Sequence, residues 1–491
     1  NGPATRINGV AEFPDATALG AIPNDPLVSC MARELARQLK PFGIHVTFAP
    51  VADVNSNPNN PVIGVRSFGE LPHNVAAKAV AYMKGLQDGG VMAVGKHFPG
   101  HGDTGADSHH TLPLVDHNRE RLDSCDLLTF KSLIDAGIWG IMTAHIDVPA
   151  LTDTTGLPSS FSHKIVGDLL KGELGFKGLI ITDAVNMQGA KVMGKPGQVD
   201  ALALAAGNDI VEFTENLPAA MQAVKQALAD SMIAQVDLEA KVRRSLAFKY
   251  WLTRAEQVEP IETDSLLHYI NTPEAEELNR ALYGAALTGL VNKLDRPLNE
   301  VFMGPSSRNA TSALSETASG DLSESTSGVS FSYASKSLSG TSVTLSSVNI
   351  SSSYAAVFAG ESPVLEGYFK DKGIDVVKLN GTAADPVLKQ ALKYKAHILV
   401  ISDAQKVDAS VMARLNEAGS TMVLYMGNPY RFSRAKGAKD ADVILVAYKN
   451  NHWAQEAVIG FLEGVIEADG ILPVSIEGFP AGTGIRFDFK E

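Results

Sequence analysis

KHFPGHGDTGADSHHTLP, residues 96–113, follows an apolar run at residues 91–94 whose pattern predicts a short buried strand. Lys96, His97, His101, Asp103, Asp107, Ser108, His109 and His110 all fall within it. Gly100, Gly102 and Gly105, together with Pro99, exclude a regular helix or strand there. A long loop this dense in ionisable groups, set at the end of a buried strand, reads as a site and not as a connector.

Outward from that loop, apolar strands alternate with amphipathic helices. Strands are expected at residues 45–51, 91–95, 139–144, 178–182 and 209–213. Helices are expected at 23–40, 70–86, 119–136, 161–174 and 217–230, with Leu27, Met31, Leu35 and Leu39 typical of the spacing. Residues 1–21 read as loop. Continuously apolar strands joined by helices imply a parallel sheet covered on both faces. Polar residues gather just past four of the strands: Asp53, Lys96 with His97, His145 and Asp183. A (β/α)8 barrel carries its site at that rim, and a doubly wound sheet carries it at its switch point, so this pattern alone leaves both open.

The chain has 491 residues and a formal net charge of -13, with both signs interspersed. The length predicts two or three domains, and nothing in the mixed charge pattern points to a nucleic-acid surface. No apolar run reaches membrane-spanning length. Cys30 and Cys125 lie in apolar helical context and are expected as free, buried thiols. Residues 250–272 read as a linker. Residues 306–353 are rich in Ser, Thr and Gly. Strands at 355–358, 375–379, 397–401, 422–426 and 443–447, with a closing helix at 454–468, then predict a smaller α/β sandwich of doubly wound type. The expected organisation is a barrel over 1–250, a linker and helix over 251–290, and the second domain over 291–491.

Asp107 and His109 lie two apart, close enough for a carboxylate to orient an imidazole and favour its protonated form. Such a pair moves protons near neutral pH; a purely structural Asp–His–Ser hydrogen-bonded loop competes with that reading. Asp183, at the end of an apolar strand, suits a nucleophile, a base or a ligand, or else a helix N-cap. Lys96, His97 and Arg66 suit hydroxyl binding, with structural ion pairs as the alternative. A metal site also competes, since His97, His101, Asp103, Asp107, His109 and His110 are ligand types. However, the spacing of His97 and His101 grips a metal best on a helix, which the intervening FPG prevents, so neither metal nor cofactor is expected.

The 96–113 segment resembles the signature of the β-N-acetylglucosaminidase branch of glycoside hydrolase family 3. RINGVAEFPDATALGA (6–21), FAPVADVNSNPNNPVIGVRSFG (48–69), MTAHIDVPALT (142–152), GFKGLIITDAVNMQG (175–189) and AGNDIV (206–211) are similar to successive barrel segments of that family. GILPVSI (470–476) with FPAGTGIRF (479–487) resembles the end of its two-domain forms. The resemblance implies a (β/α)8 TIM-type barrel followed by a smaller α/β sandwich. It also implies Asp183 as nucleophile, His109 as general acid/base and Asp107 as its partner. Arg66, Lys96 and His97 would bind the sugar, with Arg6 a further contact. In the family an acidic glycone-binding residue, and the first barrel strand or two, belong to a segment before the position of Asn1.

The implied activity is retaining release of non-reducing-terminal GlcNAc from cell-wall muropeptides or chitooligosaccharides, by an exported, monomeric protein. A phosphorylase or β-glucosidase of the same family is the nearest alternative. A silent carbohydrate-binding barrel and a metal-dependent hydrolase are alternatives of other classes.

Overall fold

The computed structural model describes residues 2–152, 154–254, 263–302, 354–382, 385–403 and 405–487. The Ser-rich stretch at 306–353 and the middle of the expected linker lie outside the described residues.

The first sheet contains β1 (Val46–Thr47), β2 (Met92–Phe98), β3 (Gly140–Thr143) and β4 (Leu179–Thr182), all parallel and each beside the next in sequence. A doubly wound sheet reverses its strand order at a switch point. This one does not, and it follows the order of a barrel wall. Side chains alternate across the wall. Met92, Val94, Met142, Leu179 and Ile181 form the inner cluster, joined by Ile210, Phe248 and Leu252, while Ala93, Ile141 and Ile180 face the helices. Outside, helix Pro72–Asp88 packs between Asp25–Leu39 and Asp126–Asp135. A Cβ on Gly85 would fall 2.1 Å from the Ser29 carbonyl, so glycine is what lets the first two helices approach so closely.

Several expectations are corrected in detail. The strand expected at 45–51 is confined to β1 plus a bridge between Val51 and Lys96. The strand expected at 209–213 reduces to one parallel bridge, Ile181 to Ile210. There the Asp209 carboxylate accepts the Ile180 N–H (2.9 Å), taking the place of a strand carbonyl. β2 runs on through Lys96 and His97 to Phe98. A short helix, Ala16–Ala21, occupies part of the expected N-terminal loop; its apolar residues are buried. The helix expected at 119–136 breaks at Cys125, which turns the buried Asp126 carboxylate toward Arg121 (3.2 Å). Cys125 is buried and Cys30 only partly so; both are free.

The second sheet has order β5-β10-β9-β8-β6-β7. Its strands are β5 (Thr288–Asn292), β6 (Ala355–Ala359), β7 (Asp375–Leu379), β8 (Ala396–Ser402), β9 (Ser420–Met426) and β10 (Val443–Val446). All pairs are parallel except β5, which closes one edge antiparallel to β10. The order reverses between β6 and β8, the mark of a doubly wound sheet. Alternate residues enter two separate cores: Val357, Leu399, Val423 and Ile444 on one face, Phe358, Val400, Leu424 and Leu445 on the other. The first of these cores belongs to the same cluster as the core around the barrel helices. The two units also meet where the Glu70 N–H donates to the Pro473 carbonyl (3.0 Å) and Asn55 Nδ2 donates to the Tyr430 hydroxyl (2.6 Å). The second sheet's domain therefore abuts the barrel just past the exit of β1.

Candidate active site

Parallel strands place their C-terminal ends on one rim, and the polar residues after β1 to β4 converge there. Asp53 anchors the floor. Its Oδ1 accepts the backbone N–H groups of His97 (3.1 Å) and His101 (2.8 Å), and its Oδ2 pairs with His97 Nδ1 (2.7 Å). Because a carboxylate only accepts, His97 Nδ1 carries the proton. Burial would raise the Asp53 pKa, but the charge and hydrogen bond of His97, with His101, outweigh it and hold it at about 2. A carboxyl whose pKa is depressed in the fold contributes stability above its unfolded value and loses it as pH falls through the folded one. Asp53→Asn is therefore expected to lower the melting temperature at neutral pH, with the gap to wild type closing as pH falls from about 4 toward 2. A gap that stays constant over that range would remove the charge from the account. His101 completes the floor, with Nδ1 on Thr104 Oγ1 (2.7 Å) and Nε2 on Ser108 Oγ (3.0 Å).

Lys96 and His97, which an ordinary extended segment would send apart, both lie within electrostatic reach of Asp183; the peptide between them is cis. Burial, with Arg66 nearby, pushes the Lys96 ammonium down to about 8 against the pull of Asp183, Asp53 and Glu212. Burial opposes ionisation of Asp183. His97, His145, the Ala184 amide and Lys96 more than offset it, and its carboxyl stays below the usual carboxylate range. Asp183 is thus held as an anion at the strand end, with Oδ1 accepting the Ala184 N–H (2.9 Å).

His145 fixes the backbone under that anion. Its Nε2 donates to the carbonyls of Asp183 and Ala184 (both 3.2 Å), its Nδ1 meets Ser160 Oγ (2.6 Å), and the ring stacks on Phe161. Burial lowers its pKa, with Asp183 and the two carbonyls pulling the other way.

The loop brings Asp107 and His109 into contact as their spacing predicts. Asp107 Oδ1 accepts both the His109 N–H (2.8 Å) and His109 Nδ1 (2.7 Å). Partial burial opposes ionisation of Asp107, and the His109 amide and ring outweigh it, so the carboxyl is held below its ordinary value. His109 Nδ1 is therefore the donor, and Nε2 takes no protein partner among the described residues. The loop lies against the segment that follows Asp183: the Gly189 N–H donates to the Ser108 carbonyl (3.1 Å) and the Gln188 N–H reaches the His109 carbonyl (3.5 Å). A Cβ on Gly189 would crowd both Ser108 and His145 at 3.1 Å. Asp183 is half-buried on the floor, whereas the His109 side chain is 58% exposed at the mouth.

Arg66, on the turn Gly64–Arg66, lies within electrostatic reach of Lys96, and among the described residues its guanidinium donates only to the Val62 carbonyl (3.1 Å). Arg6 is not brought to this group. It is exposed on a turn that packs near helix Asp25–Leu39, in a segment tied to Asn271 through Gly9 and Ala11. Glu212, which sequence reasoning passed over, stands beside Asp183. Its N–H donates to Thr182 Oγ1 (3.0 Å) and its carbonyl accepts the Val185 N–H (3.0 Å). The pairing of Asp53 with His97 was also missed. The polar exit of the strand signals Asp53, but no local spacing links residues 44 apart.

The model of the glycosyl hydrolase family 3 N-terminal domain matches residues 1–247. Beta-hexosaminidase A of Pseudoalteromonas piscicida is 35% identical over 289 residues, 55% of this chain and 48% of that one. The beta-hexosaminidase of Nitrosomonas eutropha is 40% identical over 210 residues, 42% of this chain and 59% of that one. The chain thus spans about half the length of the curated relatives it matches. Among solved structures, a family 3 beta-N-acetylglucosaminidase from Paenibacillus sp. str. FPU-7 superposes with a TM-score of 0.71 at 26% identity, covering 96% of this chain and 84% of that one. A beta-glucoside phosphorylase superposes with a TM-score of 0.72 at 18% identity, covering 95% of this chain and 81% of that one, a likeness of fold alone.

Proposed function

Because this chain belongs to glycosyl hydrolase family 3, we propose that its rim site is that of a retaining β-N-acetylglucosaminidase. One observation carries the reading: an Asp–His pair at the mouth, tied through backbone hydrogen bonds to the segment that follows a half-buried, ionised Asp183. Retaining hydrolysis needs one group ionised as nucleophile and another able to give up and then take a proton. Asp183 attacks the anomeric carbon and the bond from that carbon to the leaving oxygen breaks. The proton on His109 Nε2 passes to that oxygen. Water then attacks the same carbon, gives its proton to Nε2 and releases the Asp183 carboxylate. Asp107 holds the ring in the tautomer both steps require. Lys96, His97 and Arg66 supply donors for the sugar. Terminal GlcNAc on muropeptides or chitooligosaccharides is the substrate class.

Nitrophenol release from the aryl β-N-acetylglucosaminide and from the matching β-glucoside, each with and without chelator, tests this. The GlcNAc compound should be cleaved much faster, at a rate the chelator leaves unchanged. Preference for the glucoside, or loss of activity on chelation, would contradict the reading.

A further inference from the structure

Three charged groups at the rim have unspent hydrogen-bonding capacity. Among the described residues, no donor lies within hydrogen-bonding distance of the Glu212 carboxylate, and no acceptor within that distance of Lys96 Nζ. Among the same residues, the Asp183 carboxylate takes only the Ala184 N–H. Unpaired donors and acceptors in a partly dry pocket cost free energy unless a ligand satisfies them. Glu212 is placed by its backbone and not by its side chain: its two hydrogen bonds, to Thr182 and Val185, bracket Asp183. Its carboxylate is left within electrostatic reach of both Asp183 and Lys96.

We infer that Glu212 is a further substrate-binding residue, whose carboxylate accepts a hydrogen bond from the same sugar hydroxyl to which Lys96 donates. A hydroxyl both gives and accepts one hydrogen bond at modest cost, so a cation–anion pair flanking it satisfies all three groups. The inference rests on the proposed reading of this rim as a sugar site. The groups facing Lys96 and Asp183 are Asp53 past β1, His97 on β2, His145 past β3, Arg66 on its turn, and Glu212. Of these acidic neighbours, Asp53 is already saturated by His97 and His101.

The test compares wild type, Glu212→Gln, Lys96→Gln and the double variant with the aryl β-N-acetylglucosaminide, and measures binding of free N-acetylglucosamine by calorimetry. Glu212→Gln should melt like wild type, raise KM and weaken monosaccharide binding by about ten- to a hundred-fold. The double variant should lose less than the product of the two single losses, because both groups grip one hydroxyl. Removing the anion should also shift the Lys96 titration near pH 8 to lower pH, moving the basic limb of binding with it. A change under twofold in both KM and binding would overturn the inference, as would strictly multiplicative losses. If wild type binds the sugar but does not turn over the glycoside, the proposed activity fails while the calorimetry still decides the role of Glu212.

Discussion

Asp183→Asn is expected to lower turnover of any β-N-acetylglucosaminide by on the order of ten-thousand- to a million-fold, the range seen when an essential member of a catalytic unit is removed. The amide keeps the shape of the carboxylate and can still meet the Ala184 N–H, so the fold and the neighbouring hydrogen bond persist. What it lacks is charge. The site holds Asp183 ionised against its burial through His97, His145, the Ala184 amide and Lys96. A neutral amide wastes that field and is a far weaker nucleophile toward the anomeric carbon. Binding of N-acetylglucosamine should change much less than turnover, because Lys96, His97 and Arg66 remain. If the variant retained more than about a hundredth of the wild-type rate, the nucleophile would have to be sought elsewhere.

His109→Gln should have an effect that depends on the leaving group. For an alkyl or sugar aglycone, whose oxygen needs a proton as the bond breaks, kcat/KM should fall by about a hundred- to ten-thousand-fold. For a dinitrophenyl aglycone, whose oxygen leaves unprotonated, kcat/KM should fall by less than about tenfold. In the proposed mechanism the same histidine then serves as base toward water, so kcat on the activated substrate should drop and recover with azide, a nucleophile that needs no base. Asp107→Asn should show the same pattern more weakly, since it leaves the ring but frees its tautomer. Equal losses on both aglycones would remove His109 from the acid/base role.

Much of this is legible in the sequence. Apolar runs at regular spacing marked β2, β3 and β4, and polar exits marked the rim, because a parallel barrel must put strand ends together. The two-residue spacing of Asp107 and His109 was enough to predict their contact. What escaped was non-local or backbone-made. Glu212 lies within a segment expected as a strand, which Asp209 reduces to one bridge by bonding the Ile180 amide with its side chain. No period in the sequence signals that substitution. The Asp53–His97 pair joins neighbouring strands, and the Asn55–Tyr430 contact joins the two sheets' domains across 375 residues. Arg6 lies in a motif resembling the family's, yet its turn packs against the outer helices, and only the tertiary contacts of Gly9 and Ala11 with Asn271 reveal that.

The most direct test of the central claim is to trap the glycosyl-enzyme. Incubation with a 5-fluoro-N-acetylglucosaminyl fluoride, which forms the covalent intermediate faster than it decays, would be followed by peptide mapping in a mass spectrometer. The account predicts one added sugar, on the peptide containing Asp183, absent from Asp183→Asn. A label on another residue, or none on an enzyme that turns the reagent over with burst-free kinetics, would contradict it.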